Sequence, residues 1–190
     1  MVDFENDIKS CVNTLQQGGV ILYPTDTVWG LGCDAMNEKA VEKIFNIKRR
    51  PKEKSMIVLL AEARDVLQYV ATPHHDIIAI IESFKSPTTV IYENALGFPS
   101  NLVNKDGSIA IRVTTDPFCK ALIKRFRRPI VSTSANLSGQ SSAPLYKMVD
   151  KSIIEGVDYV VQYRQDDETV KEPSMLVRIK DDGGMEVLRG

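Results

Sequence analysis

Residues 19–35 read Gly-Val-Ile-Leu-Tyr-Pro-Thr-Asp-Thr-Val-Trp-Gly-Leu-Gly-Cys-Asp-Ala. This stretch constrains the chain more than any other. The apolar run over residues 20–23 fits a buried strand, and Pro24 stops it. Thr25, Asp26 and Thr27 then fall where the chain must turn. Gly30 and Gly32 follow and allow the backbone to approach another group closely. A strand that ends in a polar turn is a common place for an α/β protein to hold a small ligand. A plain Pro-Thr-Asp turn with two loop glycines fits the same residues.

The chain has 190 residues, 43% of them hydrophobic, enough for one sizeable domain with a real core. Its 24 basic and 25 acidic residues leave a formal net charge of -1. Binding of a polyanion must therefore come from a local patch rather than from bulk charge. Cys11, Cys33 and Cys119 are far apart, with no Cys-x-x-Cys pair and no zinc spacing. Sparse, odd cysteines suit a reducing compartment. The acidic start of the chain does not read as a signal peptide. No apolar run approaches the ~20 residues that span a bilayer. The expectation is a soluble cytoplasmic protein with no membrane partner.

Apolar spacing predicts an amphipathic helix over residues 8–17 ended by Gly18 and Gly19, and a second over 38–49 capped by Asn37. Further helices are expected over 63–70, 76–83 and 117–126, the last with Pro117 at its tolerated first position. Strands are expected over 56–60, 88–92, 108–113, 129–132, 159–162, 174–179 and 186–188. Helices and strands alternate early and strands gather late. The expected fold class is α/β, one domain over residues 1–190 with a twisted, mixed parallel and antiparallel sheet flanked by helices.

Three further stretches carry possible chemistry. Residues 48–54 read Lys-Arg-Arg-Pro-Lys-Glu-Lys. Positive charge here complements a helix C-terminus. With Pro51 fixing the exit, Lys48 and Arg50 also make a pair able to grip a triphosphate. Residues 132–139, Ser-Thr-Ser-Ala-Asn-Leu-Ser-Gly, put hydroxyls and the amide of Asn136 in one loop after a strand. That is either a polar turn or a site for a base edge, ribose or carboxylate. Arg112 lies in the strand pattern Ile-Ala-Ile-Arg-Val and either points to solvent or faces a cavity and forks onto a carboxylate. His74 and His75 are adjacent and read as loop residues. Walker, Gly-x-Gly-x-x-Gly and Gly-x-Ser-x-Gly motifs are missing.

In this order the stretches resemble the YrdC family. The matching pieces are Tyr-Pro-Thr-Asp-Thr-Val-Trp-Gly-Leu-Gly (23–32), Lys-Arg-Arg-Pro (48–51), Ala-Ile-Arg (110–112) and Ser-Ala-Asn-Leu-Ser-Gly (134–139). Pro-Ser (173–174) and Leu-Arg-Gly (188–190) match as well. The resemblance implies a YrdC-like fold with a concave basic cavity, in the short form without an extra C-terminal domain. It implies a nucleotidyltransferase that makes threonylcarbamoyl-AMP and pyrophosphate from L-threonine, bicarbonate or CO2, and ATP. The product would serve tRNA modification at adenosine 37 through a separate threonylcarbamoyl transferase complex. By the same resemblance, Thr27, Arg112, Ser134 and Ser174 would hold threonine. Lys48 and Arg50 would hold the ATP phosphates and act in catalysis, with Lys54 reaching them too. Ser108, Asn136 and Arg189 would contact the nucleotide. Mg2+ would arrive with ATP, since no carboxylate pair looks like a dedicated metal cage.

The chain departs from the family pattern at Ser55-Met56, at Leu59 in place of a histidine, and at Lys85-Ser86-Pro87-Thr88-Thr89. A reshaped pocket rim is expected there. Two other classes stay open: a module binding tRNA or double-stranded RNA without synthase activity, and a carbamoyl-transfer module of the hydrogenase-maturation kind. The second normally sits beside zinc-finger and acylphosphatase regions that these residues do not contain.

Overall fold

In a computed structural model describing residues 4–51, 56–180 and 182–189, nine strands form one mixed sheet. They are β1 (Ile21–Tyr23), β2 (Gly30–Gly32), β3 (Ile57–Leu60), β4 (Thr88–Tyr92), β5 (Ile109–Val113), β6 (Ile130–Ser134), β7 (Tyr159–Val160), β8 (Met175–Ile179) and β9 (Met185–Arg189). The spatial order is β7-β1-β2-β6-β3-β5-β4-β8-β9. The pairs β1–β7, β3–β5 and β4–β8 are parallel and the rest antiparallel. The helices are α1 (Glu5–Gln16), α2 (Glu38–Lys48), α3 (Ile77–Ser83), α4 (Pro117–Phe126) and α5 (Lys151–Gly156).

Side chains alternate across the strands and divide the core into two layers. Val58 and Leu60 of β3 pack with Ala40, Val41, Ile44 and Phe45 of α2. Leu59, between them, packs on the opposite layer with Ile8, Cys11 and Leu15 of α1 and Phe118, Leu122 and Phe126 of α4. That second layer draws on β1, β3 and β6 but on no residue of β5, β4, β8 or β9. Helices α1 and α4 therefore cover only half of their face of the sheet. The uncovered half is the floor of the site.

The helix signals act as the pattern predicts. Asn37 Oδ1 accepts the Lys39 and Ala40 amides at 3.1 and 3.2 Å, capping α2. Asp116 caps α4 through the Cys119 amide at 2.9 Å. Four expectations change. Residues 30–32 form a strand rather than a glycine loop. Gly32 is needed for close approach within that sheet, because a Cβ there would lie 2.7 Å from Tyr23 Cε1. The helix expected over 63–70 is a 3-10 helix, Ala63–Gln68. Strand β6 runs on to Ser134, two residues past its expected end. Helix α5 is additional, with Ile153 as its buried residue. Among the described residues, no helix is long and apolar enough to cross a membrane.

Candidate active site

The strand registers place Leu59, Arg112, Thr89 and Leu176 side by side across β3, β5, β4 and β8, all on the half-covered face. Leu59 is still under the helices. Beyond it the face opens into a cavity of about 420 Å³, within the range of small-ligand sites. Ile57, Ala110 and Leu176 form an apolar floor, and Thr27, Ser134 and Asn136 bring polar groups to the walls. Arg50, Arg112 and Arg189 also line it, and among the described lining residues there is no carboxylate. Three guanidiniums thus meet at one concave cavity.

Arg112 faces inward, which settles the alternative left open by its strand pattern. Its guanidinium is 3% exposed, and Nη2 lies 3.2 Å from Asp26 Oδ1. Asp26 Oδ2 accepts the Thr114 hydroxyl at 3.1 Å. Arg112 Nε is buried and has no partner within the protein. Arg112 also lines the cavity, and a guanidinium held there by Asp26 suits an incoming carboxylate. Asp26 was visible in the opening turn, but nothing in one sequence pairs it with a residue 86 positions away; only the folded structure does.

The turn after β1 is organised by Thr25. Its hydroxyl donates to the Val28 carbonyl at 2.8 Å, accepts the Thr27 amide at 2.9 Å and lies 3.0 Å from Thr27 Oγ1. Thr27 is thereby fixed at the cavity wall. On the opposite side, Ser174 Oγ meets Thr89 Oγ1 at 2.8 Å, and the Ser174 carbonyl accepts Arg189 Nη2 at 3.0 Å. Asn136 donates through Nδ2 to the Leu137 and Gln140 carbonyls at 2.9 and 2.8 Å, while its buried Oδ1 has no protein partner. Thr27, Arg112, Ser134, Ser174, Arg50, Asn136 and Arg189 all line this one cavity.

Two expected residues are placed differently, and one lies outside the description. Lys48 is not in the lining. It is 1% exposed, and its ammonium donates to the carbonyls of Ser134 and, at 2.7 Å, Asn136. Burial, with Arg50 nearby, lowers its pKa to about 7. The physical reason for the difference is the helix end: Arg49 takes a left-handed φ of 49°, so Lys48 points into the protein and Arg50 towards the cavity. Burial also lowers the pKa of Arg50. Ser108 is likewise absent from the lining. Its hydroxyl donates to Asp106 Oδ1 at 2.6 Å and accepts Asn104 Nδ2 at 2.9 Å, and Asn104 takes the cavity position. Lys54 and the departure at Ser55 lie outside the described residues.

The sequence profile of the Sua5/YciO/YrdC family, described as telomere recombination, matches residues 13–190. The chain belongs to the Sua5/YciO/YrdC family. A relative from Pseudoalteromonas translucida named threonylcarbamoyl-AMP synthase is 36% identical over 189 residues, covering 98% of both chains. One of the same name from Saccharophagus degradans is 41% identical over 138 residues, 72% of each chain. Among solved structures, P. abyssi Sua5 complexed with L-threonine superposes with a TM-score of 0.86 at 22% identity. All of this chain and 55% of that one are covered, so the chain spans about half the length of that family member. The fold is therefore shared with that solved structure.

The departure at Leu59 falls in the core. Leu59 is fully buried in the α1–α4 layer beside Arg112. Thr88 and Thr89 open β4, and Thr89 supports Ser174.

Proposed function

We propose that this protein is a threonylcarbamoyl-AMP synthase, a nucleotidyltransferase joining L-threonine, bicarbonate or CO2, and ATP with release of pyrophosphate. The observation that carries the reading is the inward, Asp26-anchored Arg112 in an arginine-lined cavity, in a chain whose relative of that name aligns over 98% of both lengths. Threonine enters with its carboxylate against Arg112 in the cavity lining. Thr25 gives its one hydroxyl proton to Val28, so Thr27 Oγ1 donates to Thr25 and offers its lone pairs to the cavity. They suit the amine of the substrate. Ser134 and Ser174 complete that end.

The amine adds to CO2 and loses a proton, giving a carbamate. A carbamate oxygen then attacks the α-phosphorus of ATP, and the bond from that phosphorus to the bridging oxygen of pyrophosphate breaks. The protein supplies position and charge, not a covalent intermediate. Arg50 and Arg189 neutralise the triphosphate and the leaving pyrophosphate. Asn136 and the Asn104–Ser108 turn face the nucleotide. Mg2+ comes as part of the ATP substrate. With no carboxylate among the described lining residues, its ligands are phosphate oxygens and water. The product passes to a separate transferase that modifies adenosine 37 of tRNA. The compartment of this reading is the cytoplasm, which keeps the three buried, free cysteines reduced.

The test is pyrophosphate release from ATP, with and without L-threonine and bicarbonate. Release that requires both is the expected result. Release indifferent to threonine, or none at all from protein that binds ATP, overturns the reading and returns attention to RNA binding.

A further inference from the structure

We propose that Lys48 is a positioning residue: its ammonium clamps the loop after β6, and the clamped loop sets the threonine end of the cavity. The proposal rests on the synthase reading for what the cavity binds, but the clamp itself stands on contacts within the protein.

Three bonds tie the end of α2 across both ends of one loop. Lys48 Nζ donates to the carbonyls of Ser134 and Asn136, and the Lys48 carbonyl accepts the Ser138 amide at 2.8 Å. From the other side, the Ala135 amide donates to the Trp29 carbonyl at 2.8 Å, and Ser134 pairs with Gly30 in the sheet. The loop is thus fixed between Lys48 and the strand that follows the Thr25–Thr27 turn. Ser134 and Asn136 turn their carbonyls to the lysine and line the cavity themselves. Two carbonyls two residues apart converge on a buried point and require a donor with two hydrogens there. A lysine provides it as a compact amine with rotatable donors on a flexible stem. The ammonium is occupied within the protein, and the left-handed turn at Arg49 leaves Arg50 as the cation of this pair that meets the cavity.

A clamp and a phosphate ligand make different demands on the enzyme without ATP. L-Threonine affinity is measured by calorimetry on ATP-free protein carrying Lys48→Met, which keeps the stem and removes the charge. The clamp predicts weakening of about tenfold or more, the scale of losing a charged hydrogen bond. Lys43→Met is the control. It breaks a lysine–carbonyl bond of the same helix, Lys43 Nζ to Gly18 at 2.8 Å, remote from the loop, and should leave threonine affinity unchanged. Ser138→Pro loosens the loop from its other bond to Lys48 and should reproduce the loss, so the test survives if Lys48→Met does not fold. Unchanged ATP-free threonine affinity in Lys48→Met, with weakened ATP binding, overturns the clamp in favour of a phosphate ligand. Unchanged affinity in Ser138→Pro overturns it too, as does equal weakening in the Lys43 control. If the parent protein binds no threonine, the synthase reading fails instead. Faster amide exchange at residues 135–138 in Lys48→Met would then still support the clamp, and unchanged exchange would overturn it.

Discussion

Replacing Asp26 by asparagine removes the charge facing Arg112 and keeps the shape and the bond to Thr114. Opposite unit charges 3.2 Å apart attract by about 5 kcal/mol at an effective dielectric near 20. Desolvation of both groups offsets much of this in the intact pair. Breaking it is different, because a guanidinium 3% exposed then stays buried without its partner. The expected loss is about 3–5 kcal/mol. At about 2–4 °C per kcal/mol for a chain of this size, the melting temperature falls by about 6–20 °C. Arg112→Met should lose threonine binding and also destabilise, since Asp26 then keeps only Thr114. The double variant removes both charges and should recover at least about 1.5 kcal/mol of the summed losses. Urea or thermal unfolding of the four proteins of this cycle measures that recovery. Additivity within about 0.5 kcal/mol refutes the reasoning, as does an Asp26→Asn protein that melts with the parent.

Arg50→Ala should lower the synthase rate by about 10²–10³, the scale of removing one electrostatic stabiliser, with threonine affinity nearly kept; steady-state kinetics with each substrate varied checks the split. Thr89→Val removes the partner of Ser174 Oγ and should cost about 1 kcal/mol of stability while raising KM for threonine; an unchanged KM would detach Ser174 from the substrate. The depressed pKa of Lys48 sets a pH dependence: above pH 7 the folded protein releases a proton that the unfolded chain holds to about 10.5, so stability rises with pH across that window. Between pH 7 and 8, where the thiols of the unfolded chain still hold their protons, the gain is about 1 kcal/mol; denaturant unfolding should show it in the parent and not in Lys48→Met. Gly32→Ala should cost about 1–3 kcal/mol, since its Cβ would meet Tyr23 at 2.7 Å and the Val131 carbonyl at 3.0 Å, and loss of soluble yield or of melting temperature reads it.

Elements with a full apolar stripe or a dense β-branched run were legible as sequence. Helix α4 and strand β4 fall on their expected bounds. Strand β2 did not show because three residues, two of them glycine, carry no alternation, and only pairing with β1 and β6 makes them a strand. Helix α5 is too short for a period and buries only Ile153. Within the site, residue types were legible but not directions. Arg112 could be read either way until helices α1 and α4 proved to stop at β3. Lys48 and Arg50, two apart, were read as one phosphate grip. A single left-handed residue between them separates their destinations. Ser108 was visible as a polar residue at a strand start, but the neighbouring Asn104 and Asp106 occupy its hydroxyl, a local turn that a strand pattern does not register.

Arg189 reaches the cavity from β9, the edge strand next to β8, and all five residues of that strand are exposed. Such margins open at free energies well below that of global unfolding. Each opening carries a cationic wall of the cavity away with it. A ligand that contacts Arg189 binds only the docked strand, so it stabilises this margin in proportion to RT ln(1 + [L]/Kd). Protection of the β9 amides against exchange is then a titration curve for the site. Occupancy can be followed at the rim of the sheet without any label on substrate or nucleotide.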